Sequence, residues 1–96
     1  MNLKKLLLVN KTKIIEIAAR HGASNIRIFG SIARGEADKN SDIDLLVTIE
    51  PGRSLLDHAA MHLELQKLLG HKVDVISERG LKERIRKKVL AEAVPL

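Results

Sequence analysis

Cysteine is absent from the 96-residue chain, and Phe29 is its only aromatic residue. The lack of cysteine excludes disulfides and thiolate metal sites, and it fits a reducing compartment. The near absence of aromatic side chains removes the stacking platform that proteins use to bind single-stranded nucleic acid, so direct nucleic-acid binding is not expected. The core is therefore predicted to be aliphatic, built from Leu, Ile, Val and Ala.

Long apolar runs are also missing. No stretch approaches the roughly 20 residues of a membrane span. Residues 6–9 are too short for the apolar core of a signal peptide, and no small-residue cleavage site follows them. We therefore predict a cytoplasmic protein without a membrane partner, and its length predicts a single domain over residues 1–96.

The charge is unevenly distributed. The formal net charge is +5, which favours either simple solubility or an acidic partner or polyanionic ligand. Basic residues cluster near the C-terminus, where the sequence has Lys82, Arg84, Arg86, Lys87 and Lys88. This cluster is either a solvated helix face or a contact surface for an acidic partner or RNA.

Apolar periodicity predicts the order helix, strand, turn, strand, helix, strand, helix. Residues 3–18 have helical spacing and form one helix or two, and residues 3–9 either pack into the core or await a partner. Strands are predicted at residues 26–29, 42–49 and 72–76, with a single helical turn starting at Ser31. This order indicates a two-layer α/β (α+β) domain.

Two further helices are predicted in the second half of the chain. One begins at the capping residue Ser54 and ends at Gly70. Its apolar period runs through Leu55, Ala59, Leu63 and either Gln66 or Lys67, and the neighbouring Leu56, Ala60 and Leu68 widen the apolar face. The other helix covers residues 81–93 and is ended by Pro95.

Two aspartates stand close together at the start of the second strand. Asp42 and Asp44 are two residues apart, so their side chains point to the same face of the sheet. Two unpaired carboxylates at this distance repel each other and raise one pKa. Mg²⁺ would remove that repulsion, because it is bound by carboxylates together with substrate phosphate oxygens. The alternative is a solvated turn at the beginning of a strand.

A glycine–serine pair ends the first strand. Gly30 allows the backbone to approach a ligand closely, and the amides of the following turn point outward. Such a corner binds phosphate, with the Ser31 hydroxyl as a further donor. Arg34 adds a cation three residues later, although it is equally placed to form a surface pair with Glu36.

Asp74 interrupts the third strand, "KVDVI". A charge in the middle of a short strand is unfavourable unless it is paired or bound to a metal. Asp74 is either an exposed residue of an edge strand or a third carboxylate beside Asp42 and Asp44. Three carboxylates suit a pair of metal ions about 3.5–4 Å apart, which promotes displacement at phosphorus.

The segments "FGSIARGEADKNSDIDLLV" and "KVDVI" resemble the DNA polymerase β-type nucleotidyltransferase superfamily, and more closely its minimal nucleotidyltransferase (MNT) branch. The family pattern is Gly-Ser, then Asp-x-Asp in one strand, then a third Asp in a later strand. It is matched here by Gly30, Ser31, Asp42, Asp44 and Asp74. The branch's Ala-Arg-Gly and Ser-Asp-Ile-Asp-Leu segments are also present. The resemblance covers about residues 14–94.

The resemblance implies a small mixed β-sheet backed by helices and an enzyme that transfers a nucleotide. Asp42 and Asp44 would hold two Mg²⁺ ions, and Asp74 would bind the ion that activates the attacking hydroxyl. Gly30 and Ser31, with Arg34 beside them, would hold the triphosphate. The reaction would be attack on the α-phosphorus of a nucleoside triphosphate, with pyrophosphate leaving.

The resemblance also implies a partner. Larger members of the superfamily have extra domains that bind the acceptor, whereas this chain is expected to meet its acceptor on another chain, in a hetero-oligomer. The MNT branch resembles the antitoxin half of a pair with a HEPN-domain ribonuclease toxin, in which AMP passes from ATP to a tyrosine of the toxin. Two alternatives remain: an antitoxin that acts by binding alone, and a transferase for a small molecule such as an aminoglycoside.

Overall fold

A four-stranded mixed sheet lies between helices in the computed structural model, which describes residues 2–96. The strands follow the order β3-β2-β1-β4. The pair β2–β3 is parallel, and the other two pairs are antiparallel. This arrangement confirms the predicted α/β class with a small mixed sheet. The elements in chain order are α1 (Leu3–Val9), α2 (Lys11–Arg20), β1 (Ala23–Phe29), β2 (Ile43–Ile49), α3 (Leu55–Leu69), β3 (Val73–Ser77), α4 (Glu83–Glu92) and β4 (Val94–Pro95).

The amino-terminal segment forms two helices, which settles the open alternative. Asn2 caps α1 by accepting a hydrogen bond from the Lys5 N–H at 2.8 Å. Asn10 separates the helices, and its side-chain amide donates to the Leu6 carbonyl at 2.9 Å. The same carbonyl also accepts from the Asn10 backbone N–H at 3.2 Å, so Asn10 closes the end of α1 with both its backbone and its side chain. Leu3 and Leu7 are buried, so α1 packs into the chain's own core.

The main core lies on one face of the sheet, beneath α1, α2 and α3. Successive strand residues point to opposite faces, and Ile43, Leu45 and Val47 all point into this core. Burial of each such side chain contributes about 1.5–3 kcal/mol. Among residues 2–96, no helix has both the length and the apolar character needed to cross a membrane.

The opposite face of the sheet is covered by α4. Leu46 points to this face and packs in a second cluster with Leu81 and Val89, with Phe29 against them. The two-layer prediction therefore described only one side of the sheet. Asp44 is two residues from Leu46, and Asp74 is two residues from Ile76, which also packs against this cluster. Both aspartates therefore lie on the α4 side of the sheet.

The predicted apolar face of α3 is only partly the buried one: Leu68 packs against the core, but most of the residues on the predicted period do not. Leu55 and Leu63 are 88% and 60% exposed, whereas Met61, Leu65 and Leu69 are buried. Apolar residues occur on nearly every side of this helix, so their spacing alone does not decide which side packs. The capping prediction holds, because the Ser54 hydroxyl accepts from the Asp57 N–H at 3.2 Å.

The C-terminal residues form a strand that the sequence did not reveal. Pro95 was expected only to end the last helix, but α4 stops at Glu92 and the chain then pairs with β1. Val94 lies opposite Ile28 in this antiparallel pair. Proline is tolerated here because β4 is an edge strand. The pairing holds the end of α4 near the end of β1.

Candidate active site

The turn after β1 needs glycine at its first position. Gly30 is buried and has a φ of 74°, a conformation that side chains with a Cβ rarely adopt. A Cβ at this position would also overlap the Asp44 carboxylate. The Arg34 N–H donates to the Gly30 carbonyl at 3.1 Å, which closes the predicted helical turn. The backbone at Gly30 thus lies directly against a carboxylate.

Sheet register brings Asp44 and Asp74 together. The two residues are partners across the parallel pair β2–β3, so their side chains point to the same face from strands about 4.8 Å apart. Asp44 also lies opposite Phe29, the residue before Gly30. Asp74 is half-buried on edge strand β3, which fits both alternatives drawn for it from the sequence.

Asp42 lies one residue before β2, not within it as predicted. The Lys72 Nζ is 3.6 Å from its carboxylate, which is 44% exposed. A hydrogen-bonded turn precedes Asp42, in which the Asp38 N–H donates to the Ser41 hydroxyl at 2.9 Å. This turn positions Asp42 so that it lines the same cleft as Asp44.

Asp44 is the titratable group that the site perturbs most strongly. Burial, together with the neighbouring carboxylates of Asp74 and Asp42, raises the pKa of its carboxyl to about 6. The Arg34 guanidinium opposes this shift without cancelling it. A half-buried carboxylate with like-charged neighbours is typical of catalytic and metal-binding sites.

Two adjoining clefts meet at Asp44. The first has a volume of about 450 Å³, and its lining includes Gly30, Ser31, Arg34, Asp42 and Asp44. The second has a volume of about 420 Å³ and is lined by Asp44 and Asp74 together with α4. All six residues predicted for the site therefore lie in one continuous region, with Asp74 on the far side of Asp44 from the Gly-Ser corner.

Residues 11–96 match the family described as the nucleotidyltransferase domain. The chain belongs to this family. Protein adenylyltransferase MntA of Thermococcus cleftensis is 43% identical to it over 79 residues, which cover 82% of this chain and 80% of the relative. The resemblance found in the sequence is confirmed, and the protein is an enzyme of the nucleotidyltransferase class.

Solved structures share the fold. One protein described as a minimal nucleotidyltransferase has a TM-score of 0.87 and 53% identity, covering 100% of this chain and 97% of its own. A chain from the complex of the tri-AMPylated Shewanella oneidensis HEPN toxin with MNT antitoxin has a TM-score of 0.70 and 20% identity. That match covers 92% of this chain and 69% of the other, and at this identity it shows the fold alone.

Basic residues of α4 and its approach surround both clefts of the nucleotidyltransferase. Lys88 lines the cleft with the Gly-Ser corner. Lys82 and Arg84 line the cleft that contains Asp74. Arg86 points elsewhere and donates to the Glu78 carbonyl at 2.9 Å. Part of the basic cluster thus faces the site and is suited to a polyanionic ligand.

The carboxylates offer hard oxygen donors for a divalent cation. Among residues 2–96, no three His, Asp or Glu side chains are close enough together to hold a metal ion in their present conformations. The Asp42 carboxylate instead forms an ion pair with Lys72. The donor chemistry nevertheless suits Mg²⁺, because a cation would relieve the repulsion that raises the pKa of Asp44. One or two carboxylates, together with substrate phosphate oxygens and waters, are the usual ligands of one Mg²⁺ ion.

Glu92 is a site residue that the sequence did not predict. Its carboxylate accepts a hydrogen bond from the Gly30 N–H at 2.8 Å and another from the Arg34 Nη1 at 3.0 Å. Burial pushes the pKa of Glu92 upward, but these two donors outweigh it and leave the pKa below its usual range. The residue is 62 positions from Gly30 in the chain and lies outside every motif, so no local signal could have identified it.

A separate cleft lies at the opposite end of β2, and its main polar side chains are hydrogen-bonded within the protein. It has a volume of about 310 Å³ and is lined by His21, Arg53 and His58, among others. The Arg53 Nε donates to Glu50 at 2.6 Å, the His21 Nε2 lies 2.8 Å from Glu64, and the His58 Nε2 donates to a backbone carbonyl at 2.7 Å. These contacts give the polar groups structural roles.

Proposed function

We propose that this nucleotidyltransferase transfers AMP from ATP to a hydroxyl of a HEPN-type toxin, with tyrosine as the acceptor, and thereby acts as the antitoxin. The observation that carries the proposal is the register of Asp44 with Asp74 beside the Gly30 corner. The kinship with protein adenylyltransferase MntA supports protein as the acceptor. The class of partner follows from the resemblance of the sequence to the MNT branch, and the fold is shared with an MNT antitoxin solved in complex with an AMPylated HEPN toxin.

The cleft with the Gly-Ser corner takes the triphosphate. Its donors are the Gly30 N–H, the Ser31 hydroxyl and the Arg34 guanidinium, and Lys88 adds positive charge at the rim. Backbone amides at the start of a helical turn and guanidinium groups both bind phosphate oxygens well. Asp42 and Asp44 line the same cleft, so the triphosphate would lie next to both carboxylates.

The cleft on the Asp74 side takes the acceptor. The hydroxyl oxygen forms a bond to the α-phosphorus, the bond from that phosphorus to its bridging oxygen breaks, and pyrophosphate leaves with the electron pair. The hydroxyl proton passes to the Asp74 carboxylate. Asp42, Asp44 and Asp74 would hold Mg²⁺, which supplies charge neutralisation for the triphosphate. Orientation and electrostatic stabilisation account for most catalysis of this kind.

Label transfer tests the proposal. Purified protein is incubated with a candidate HEPN-type toxin, Mg²⁺ and α-labelled ATP, and label on the toxin is measured. We expect labelling by the wild type and a decrease of at least about 100-fold for the double variant Asp42→Asn plus Asp44→Asn. A control, Glu16→Gln, removes a negative charge from an exposed position of α2 and should label normally. Equal labelling by the aspartate variant would refute the proposal.

Neutralisation by binding alone is the second candidate. It is favoured by the exposed leucines of α3, since Leu55, Leu56 and Leu63 are 88%, 80% and 60% exposed. Under this alternative, the double aspartate variant would still silence the toxin in cells. Under the proposed enzymatic function, the same variant leaves the toxin active, so growth of cells producing both proteins separates the two candidates.

A further inference from the structure

A carboxylate of the chain itself lies on the donors of the Gly-Ser corner. The two oxygens of Glu92 accept from the Gly30 N–H and from the Arg34 Nη1, at 2.8 and 3.0 Å. The Glu92 side chain is only 15% exposed. The proposed function assigns the same amide and the same guanidinium to the triphosphate. The single Gly30 N–H cannot donate fully to both anions, and Glu92 also takes one of the N–H groups of Arg34.

Packing does not require a glutamate at this position. Glu92 is the last residue of α4, and no basic residue stands in the final turn. A negative charge there is unfavourable next to the helix C-terminus. The chain beyond α4 is held independently, because β4 pairs with β1 and the Leu96 N–H donates to the Ile26 carbonyl at 3.0 Å.

We propose that Glu92 is an internal competitor for the nucleotide's triphosphate. This inference rests on the proposed function and assigns to Glu92 a role in setting the affinity for the nucleotide. In the nucleotide-free enzyme, Glu92 holds the Gly30 amide and the Arg34 guanidinium in place. A triphosphate binds by displacing it, so the apparent affinity is lowered by the fraction of molecules in which the corner is closed.

Calorimetric titration with inorganic triphosphate and Mg²⁺ tests the competition. We expect Glu92→Gln to bind about three- to tenfold more tightly than the wild type, because the neutral amide loses charge-assisted hydrogen bonds at the corner. Glu92→Ala should gain at least as much. The matched control is Glu36→Gln, since Glu36 also pairs with Arg34, at 3.3 Å, but is 64% exposed and does not accept the Gly30 N–H, which donates to Glu92. Its affinity should change less than about twofold.

The possible results separate this inference from the proposed function. If the wild type binds triphosphate and Glu92→Gln binds equally or more weakly, Glu92 does not compete and only this inference fails. If neither the wild type nor the variants bind, the triphosphate site and the inference both fail. Thermal melting checks the fold of each variant. Should Glu92→Gln not fold, Glu92→Asp keeps the charge but shortens the reach to Gly30, and tighter binding is again expected.

Discussion

Among single residues, Asp44 has a charged form that the folded state disfavours. Burial and the carboxylates of Asp74 and Asp42 raise its pKa from 3.8 to about 6. The folded state therefore binds more protons than the unfolded state between about pH 4 and pH 6, and stability falls as the pH rises through this range. Above about pH 6 the loss is complete and remains constant.

Asp44→Asn is predicted to stabilise the protein and to abolish transfer. The variant removes an ionised group that is disfavoured at neutral pH, so its free energy of unfolding at pH 7.5 should rise by about 1–2 kcal/mol, allowing for solvent screening. Urea denaturation at several pH values measures this gain, which should vanish below about pH 4. Asp42→Asn is the comparison variant: it relieves part of the repulsion on Asp44 but loses the ion pair with Lys72, so its gain should be clearly smaller than that of Asp44→Asn. A gain for Asp44→Asn that persists at pH 3.5 would contradict this account.

At the scale of elements, the turn between β1 and the helical turn combines two constraints at Gly30. Its positive φ disfavours any residue with a Cβ, and the Asp44 carboxylate occupies the space that a Cβ would need. Gly35 has the same φ of 74°, but no atom lies within 4 Å of the position of its Cβ. A substitution at Gly35 therefore tests backbone strain alone, whereas one at Gly30 tests strain together with the contact to Asp44.

Gly30→Ala is predicted to be more harmful than Gly35→Ala. The strained φ alone costs about 1–2 kcal/mol, which is the loss of stability expected for Gly35→Ala. Gly30→Ala should lose at least about 1 kcal/mol more, because Asp44 must move, and it should lose transfer activity as well. Urea denaturation and label transfer measure the two effects. Equal stability of the two variants would show that Asp44 does not press against Gly30.

Elements whose signals are local were predictable from the sequence. The Ser54 cap, the turn at Gly30 and the strand with Asp44 depend on neighbouring residues, and the structure has all three. The packed face of α3, the strand β4 and the position of Glu92 depend on residues distant in the chain. Leu63 is exposed although its period matched a buried face, because tertiary packing chose Leu65 instead. The spacing of apolar residues in one sequence does not show which side of α3 packs against the sheet.

In the whole molecule, one face of the sheet carries the main core and the other face carries the candidate site. Helices α1, α2 and α3 bury the main core on one face, and α4 borders both clefts on the other. Asp44 lies where the clefts meet, between the Gly30 corner and Asp74. This arrangement lets a nucleotide and a protein acceptor approach the same carboxylate from two sides, as the proposed transfer requires.

The central claim is attack at the α-phosphorus of ATP, and the position of the transferred label tests it most directly. The enzyme, the proposed HEPN-type toxin and Mg²⁺ are incubated in parallel with α-labelled and γ-labelled ATP. The account predicts that the toxin retains the α-label, that the γ-label is released as pyrophosphate, and that Asp42→Asn plus Asp44→Asn loses the α-label. Transfer of the γ-label to the toxin, or α-labelling that survives loss of both carboxylates, would contradict it.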